Sequence, residues 1–336
     1  MSGLQAFAPG KVLLFGEYAV LEGHEAVVVA VTRGVKCTFE PQGSTLDFEL
    51  LGPSEDDPHR RRFVDAVLAR QTAPPPGRYL LDSRAMFVGP PLTPTPMKLG
   101  LGSSAASTVA LCAALQTASQ RGPHERTALF ETAYAAHHAA QGSGSGFDIA
   151  ASTFGGLFAY RVCTDRAGPE VRPMGIPRGF NPVVAFSGRS SSTGPLVSAV
   201  RALRDERPQA HAALIAKIAL ATSVGKVALE TGDRALLIDA IRRGHRATVA
   251  LGQAAGVELA GEAYARIDAL ARRSGAACKV TGAGGGDVVW VVGVDEGAEL
   301  AFVLSARREG LFAEALTPWL SGVQVRGLTV AEGGLH

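Results

Sequence analysis

The stretch Met97-Lys98-Leu99-Gly100-Leu101-Gly102-Ser103-Ser104-Ala105-Ala106 decides how the rest of the chain is read. Two glycines one residue apart lead into a run of small residues with helical character. Glycine lets the backbone approach an anion closely, and a helix start offers free N–H groups at the positive end of its dipole. Ser103 and Ser104 add hydroxyls able to bond a phosphate oxygen or a magnesium ion. An ordinary serine-capped helix start reads the same way in isolation, so the neighbouring segments must carry the decision. Of two commoner phosphate loops, one is absent and the other survives only on Gly100 to Ala105, as a dehydrogenase reading that would require nicotinamide binding. No lysine follows a glycine and precedes Ser or Thr at the G-x-x-x-x-G-K-[ST] spacing. Gly100, Gly102 and Ala105 match the dinucleotide fingerprint only formally, because Pro90, Pro91, Pro94 and Pro96 put a loop where a buried strand is required.

Upstream, Phe7 to Tyr18 and Glu25 to Pro41 are rich in Val, Leu and Phe and read as strands. The first carries Lys11, and a lysine in an apolar strand is costly to bury without an anionic partner; a stem that snorkels at a strand end is the structural alternative. Asp57 to Arg70 places Phe63, Val64, Val67 and Leu68 at helical spacing. Downstream, Ala105 to Gln120 reads as a small-residue buried helix and Pro123 to Gln141 as a second one. A glycine-serine loop, Gly142 to Gly146, then precedes Phe147-Asp148-Ile149, where Asp148 is either a helix cap or a carboxylate aimed at a substrate. A strand near Gly156 to Val162 follows, and Arg166 to Phe180, rich in Pro, Gly and Arg, reads as a linker.

Beyond it come a strand at Pro182 to Ser187 and helical patterns from Leu196 to Arg273, broken near Gly232 and Gly256. The end reads as a strand at Ala276 to Thr281, a loop Gly282 to Gly286, a strand Asp287 to Val294, a helix, and a last strand near Val323 to Val330. Three consecutive glycines, Gly284 to Gly286, exceed what a hairpin needs and suit a close approach of backbone to ligand. Strands and helices interleave throughout, which predicts an α+β protein with antiparallel-rich sheets, divided at 1–180 and 181–336.

Composition narrows the function. The chain has 336 residues, 46% hydrophobic and 19% charged, with a formal net charge of +2. That gives no electrostatic case for nucleic acid or a membrane surface, and 6% aromatic residues offer no stacking platform for single strands. Cys37, Cys112, Cys163 and Cys278 form no C-x-x-C pair, which points to reduced thiols and neither disulfides nor a zinc site. Met1 to Ala8 lacks a charged segment followed by an apolar run, and Ala26 to Val31 is too short to span a bilayer, so a cytoplasmic protein is expected. His137 and His138 sit on a helical pattern with no third ligand at metal spacing and read as structural.

Taken in order, Ala8 to Gly23, Lys98 to Ser107 and Lys279 to Asp287 resemble the three motifs of the galactokinase–homoserine kinase–mevalonate kinase–phosphomevalonate kinase family, across nearly the whole chain. The resemblance implies two domains, an N-terminal one related to ribosomal protein S5 domain 2 and a C-terminal ferredoxin-like one, with the site between them. It also implies an ATP-dependent small-molecule kinase using magnesium, monomeric or homodimeric, acting on a phosphorylated or hydroxylated acid. Gly16-Glu17-Tyr18, Lys98, Gly144 to Ala150, Ser190 to Thr193 and Gly284 to Asp287 are most similar to the phosphomevalonate kinase branch, hence to isoprenoid precursor synthesis. Mevalonate kinases usually have histidine where Tyr18 stands and a magnesium-binding glutamate about where His137 falls. The branch often has lysine where this chain has Ser143, which leaves Lys98 or Arg189 to bind an acceptor phosphate.

By the same resemblance, Lys11 and Asp148 are the catalytic pair. Gly100, Leu101, Gly102, Ser103, Ser104 and Ala105 bind ATP, with Ser104 also on the metal. Lys98, Ser145, Arg189, Ser192, Thr193, Gly284 and Gly285 bind the acceptor. Mevalonate kinase, another alcohol kinase of the family, and a catalytically silent sensor remain open alternatives.

Overall fold

The computed structural model describes residues 3–53, 58–119, 125–142, 144–163, 168–191 and 193–328. In chain order the first half contains β1 (Leu4–Phe15), β2 (Ala26–Glu40), β3 (Leu46–Leu51), α1 (Pro58–Leu68), β4 (Gly77–Asp82), β5 (Phe87–Val88), β6 (Met97–Lys98), α2 (Ser103–Ala118), α3 (Arg126–Gln141), α4 (Phe147–Phe154), β7 (Leu157–Arg161) and β8 (Glu170–Met174). The second half contains β9 (Val183–Phe186), α5 (Thr193–Glu206), α6 (Pro208–Thr231), α7 (Arg234–Ala254), α8 (Glu262–Arg273), β10 (Ala276–Val280), β11 (Val288–Gly293), α9 (Glu296–Arg308), β12 (Ala313–Ala315) and β13 (Gln324–Gly327).

The larger sheet is organised by β2. Ala26 to Val31 is a continuous run of fully buried small and β-branched residues, the pattern of a strand covered on both faces. Its long hairpin with β1 is antiparallel, and it pairs with β7 at one end (Ala26↔Tyr160) and β4 at the other (Lys36↔Asp82). β3 and β4 run parallel with α1 crossing between them. Helix α2 packs directly on β1 and β2, with α1, α3 and α4 around it. Its alanines and serines make that close approach possible; Ala105, Ala106, Ala110, Ala113 and Ala114 are all sealed from solvent.

The smaller sheet, β10-β11-β9-β12, is antiparallel. Its two faces follow the period of two expected of strands. Val183, Ala185, Val289 and Val291 pack on Ile267 and Leu270 of α8 and Phe302 of α9. Val184, Phe186, Val288 and Trp290 face the other way into the core of the first half, where the Trp290 and Phe15 rings meet edge to face at 5.3 Å.

Two expectations need correction. The segment expected to be a linker contains β8, which pairs with β7 from Leu157↔Met174 to Arg161↔Glu170; residues 166–167 lie outside the described residues. Charged and proline positions suit an edge strand, which needs only one hydrogen-bonded side. Among the described residues the last strand is β13, shorter than the expected Val323 to Val330, whose final two positions lie outside the described residues; it pairs with β1 in the larger sheet, from Leu4↔Gly327 to Phe7↔Gln324. Among the described residues one helix, α6, is long and apolar enough by length and composition to cross a membrane. It forms an antiparallel pair with α7 and buries Ile215, Ile218, Ala228 and Leu229.

Candidate functional site

A cavity of about 240 Å³ opens where β1, the start of α2, the start of α4 and the loop after β10 converge. Lys11 lines it. The chain is held there by the Lys11 amide donating to the Leu101 carbonyl at 2.9 Å, and its ammonium donates to the Gly100 carbonyl at 3.0 Å. Burial pulls the Lys11 pKa below the usual lysine value, and the carboxylates of Asp148, Asp287 and Glu17 act against that fall. A cation desolvated among acids is poised to take up further negative charge.

The glycine-serine motif enters α2 at this lysine. Gly102 has φ of +84° and ends the loop with no side-chain cap on the helix, so the first amides of α2 are left for a ligand. A Cβ on Gly102 would stand 3.3 Å from Lys11 Cγ and 3.7 Å from Asp148 Cβ. The backbone conformation favours glycine, a side chain there would crowd Lys11, and the three residues come within contact distance of one another. Asp148 lies in the first turn of α4, where its carboxylate accepts from the Ile149 amide at 3.0 Å. Ser145 precedes it, fixed by the Tyr160 hydroxyl donating to the Ser145 carbonyl.

Of the other residues expected at the site, Gly100, Ser103, Ser104, Lys98 and Thr193 line the same cavity. Leu101 and Ala105 are buried beneath it. Lys98 also borders a smaller space, together with Phe63, Val64, Leu81 and Ser104. Arg189 is not brought to the cavity: its guanidinium reaches Glu258 at 3.4 Å. Gly284 and Gly285 pack against Leu259 instead, whose carbonyl accepts from the Gly285 amide at 2.8 Å. Ser192 and Ser143 lie outside the described residues.

Several groups to which the sequence assigned no site role also converge here. Asp287 lines the cavity with φ of +58°, accepts from the Ser191 amide at 3.2 Å, and is pushed up in pKa by burial. Glu17 and Lys279 form an ion pair with side chains 1% and 0% exposed. The Tyr18 hydroxyl donates to the Ala283 carbonyl at 2.5 Å. Lysine at the head of the third glycine motif was the one local signal for these bonds; their partners lie more than 260 residues away. His137 is buried, as expected of a structural residue. However, its Nε2 is 3.2 Å from the Ser104 hydroxyl and its ring stacks on Phe63, while burial lowers its pKa.

The residues present suit a magnesium ion that arrives with a phosphorylated ligand. Ser104 and Asp148 present hard oxygen donors to the cavity, and no group of three or more His, Cys, Asp or Glu is arranged to hold a metal among the described residues. Magnesium characteristically takes one or two protein ligands and completes its shell with phosphates and water.

Residues 90–156 match the family described as GHMP kinases N terminal domain. A mevalonate kinase of Archaeoglobus fulgidus is 30% identical over 92% of this chain and 99% of its own length. A phosphomevalonate kinase of Streptomyces sp. is 28% identical over 94% of this chain and 97% of its own. Among solved structures, L. major mevalonate kinase in complex with R-mevalonate superimposes with a TM-score of 0.75 at 20% identity, covering 94% of this chain and 96% of that one.

Proposed function

This chain belongs to the GHMP kinases, and we propose from that premise that it transfers the γ-phosphoryl group of ATP to phosphomevalonate, giving diphosphomevalonate. The observation that carries the kinase reading is the meeting of Lys11, Asp148 and Gly102 at the uncapped start of α2. Phosphoryl transfer needs little covalent chemistry from the protein; it needs in-line positioning and charge stabilisation. The amides from Gly102 to Ala105 would hold the β- and γ-phosphates. Lys11 would sit between donor and acceptor oxygens, where negative charge accumulates in the transition state. A magnesium ion held by the Ser104 hydroxyl would offset charge on the β- and γ-phosphate oxygens.

In the reaction an acceptor oxygen bonds to the γ-phosphorus, the bond to the β–γ bridging oxygen breaks, and ADP leaves. A phosphate monoester, with a second pKa of about 6, is already largely ionised near neutral pH and needs no base. Asp148 then orients Lys11. Support for the phosphorylated acceptor comes from Tyr18 in place of histidine and from the Gly284 to Asp287 sequence. The second reading is mevalonate kinase, favoured by Asp148, which stands where it could take the proton of an alcohol. Cytoplasmic location is supported by four unbridged cysteines.

A coupled ADP-release assay across phosphomevalonate, mevalonate, homoserine and sugars tests the proposal. Turnover with phosphomevalonate in preference to the rest is expected. Turnover with mevalonate alone selects the second reading, and no turnover with any acceptor leaves only a ligand sensor.

A further inference from the structure

Beside the cavity is an annex of about 160 Å³ that shares Tyr18, Ser145, Val197 and Arg201 with it and is also lined by Arg204 of α5 and His211 of α6. Two groups there are unused by the chemistry described so far. Arg201, on α5, borders both the main cavity and the annex, is exposed, and has no ion pair or hydrogen bond with any described residue. Arg204, one turn further along, is by contrast held by Glu22 at 3.4 Å and Asp205 at 3.2 Å. His211, on α6, is only 4% exposed, borders the annex, and its ring makes no hydrogen bond with a described residue. Its ring nitrogens are not among the sealed, unbonded polar atoms of the described residues, so they open onto the space of the annex, where water or a ligand atom can meet them.

The cations around the cavity are divided by position. Lys98 is at the junction with the smaller space beside Ser104, on the side of the phosphate-binding helix start. Arg201 borders the cavity and the annex together, whereas neither Lys11 nor Lys98 borders the annex. A guanidinium presents a planar fork of donors that matches a carboxylate or phosphate in two parallel bonds.

We infer that Arg201, backed by His211, reads the anionic end of the acceptor remote from the reacting oxygen, a carboxylate in the acids considered above. This rests on the kinase reading of the same cavity and deepens it. An acceptor whose reacting oxygen lies between Lys11 and Asp148 must send its other end along the wall of Tyr18 and Ser145 towards α5. A phosphorylated acceptor is longer by one phosphate group than the corresponding alcohol. Its carboxylate therefore reaches further into the annex, towards His211, so the annex favours the longer acid.

The test is the full chain with Arg201→Gln, assayed for ADP release and, separately, titrated calorimetrically with phosphomevalonate and with mevalonate. Removing a charge-assisted contact should raise the acceptor KM about 10–100-fold while kcat and the KM for ATP change less than about threefold. The primary amide of each acid should bind the unsubstituted protein more weakly by a similar factor, and Arg201→Gln should no longer tell amide from acid. His211→Ala should weaken phosphomevalonate more than mevalonate. Turnover with an unchanged acceptor KM in Arg201→Gln, or an equal loss for acid and amide, overturns the inference and leaves the kinase reading standing. Acid binding that depends on Arg201 without any ADP release does the reverse, and absence of both binding and turnover removes both.

Discussion

Lys11 has to be charged to do what the cavity asks of it, and its surroundings make that charge conditional. Burial lowers its pKa from the ordinary 10.5, with Asp148 the largest opposing influence. The sign follows directly: protonated Lys11 is present below its own pKa and is lost as pH rises through it. The alkaline limb of kcat/KM for ATP, which reports the free enzyme, should therefore fall with an apparent pKa below 10.5. The limb of kcat should lie higher, because bound phosphates favour the ammonium. An alkaline limb at the same pH in both profiles would argue against Lys11 as the group observed. Asp148→Asn separates the two acceptor chemistries. We expect kcat with mevalonate to fall about 100-fold or more, as when a general base is removed, and kcat with phosphomevalonate to fall less than about 10-fold. Equal collapse would mean that Asp148 acts through Lys11 alone. Lys11, Gly102, Ser104, Ser145 and Asp148 were legible in the sequence because each sits in or beside a glycine loop, an oddity within its own neighbourhood. Asp287 also follows a glycine loop and belongs to the third motif, but nothing in its neighbourhood assigned it a role; Arg201 and His137 lacked even that signal, since an arginine on a helix or a histidine among alanines becomes notable only when the fold sets it beside a cavity.

The loops that frame the cavity are pinned by two bonds between distant elements. Glu17, just after β1, pairs with Lys279 of β10, whose ammonium also donates to the Val280 carbonyl at 2.9 Å and lies 5.6 Å from the centre of the Phe15 ring. The next residue, Tyr18, is bonded to Ala283. The turn after β1 and the glycine loop between β10 and β11 are thus fastened together. A buried pair of this kind is expensive to halve: Glu17→Gln leaves an unpaired ammonium and should cost about 3–5 kcal/mol. Replacing both partners, as Glu17→Met with Lys279→Met, should recover most of that stability. The tie between the loops would remain lost, and with it much of kcat. Urea denaturation of the three variants beside their turnover checks both halves; a double variant no more stable than the single one would contradict the ion-pair account. At this scale the sequence was informative where the apolar signal was strong, as in the Val-, Leu- and Phe-rich runs of β1 and β2 and the helical patterns of α5 to α8. It was silent where pairing decides: β8 has a composition that a linker shares, and three-residue β12 exists only because β9 offers Ala185 and Val183 as partners.

The two halves of the molecule depend on each other through a shared core and a shared sheet. The division at 180/181 proposed from the sequence separates the sheets, yet β13 crosses back from the end of the chain to cover the free edge of β1. Trp290, Val184 and Phe186 of the smaller sheet lie in the same core as Phe15 and Ala228 of α6. A fragment ending at residue 180 would lose its cover on Phe15 and expose the hydrogen-bonding groups of β1 from Leu4 to Phe7, an edge open to pairing with another chain. Such a fragment should be recovered aggregated or with loosely packed side chains, lacking a cooperative thermal transition, even though it contains Lys11, the Gly100 to Ala105 loop and Asp148. Adding residues 181–336 as a separate chain during refolding should restore both the transition and ADP release, because β13 and the Trp290 face are then available. Circular dichroism melts and light scattering on the fragment, alone and complemented, measure this directly. A monomeric fragment that melts cooperatively would mean that the α2 to α4 layer alone stabilises the first sheet, and that the contacts between the halves serve geometry and not folding.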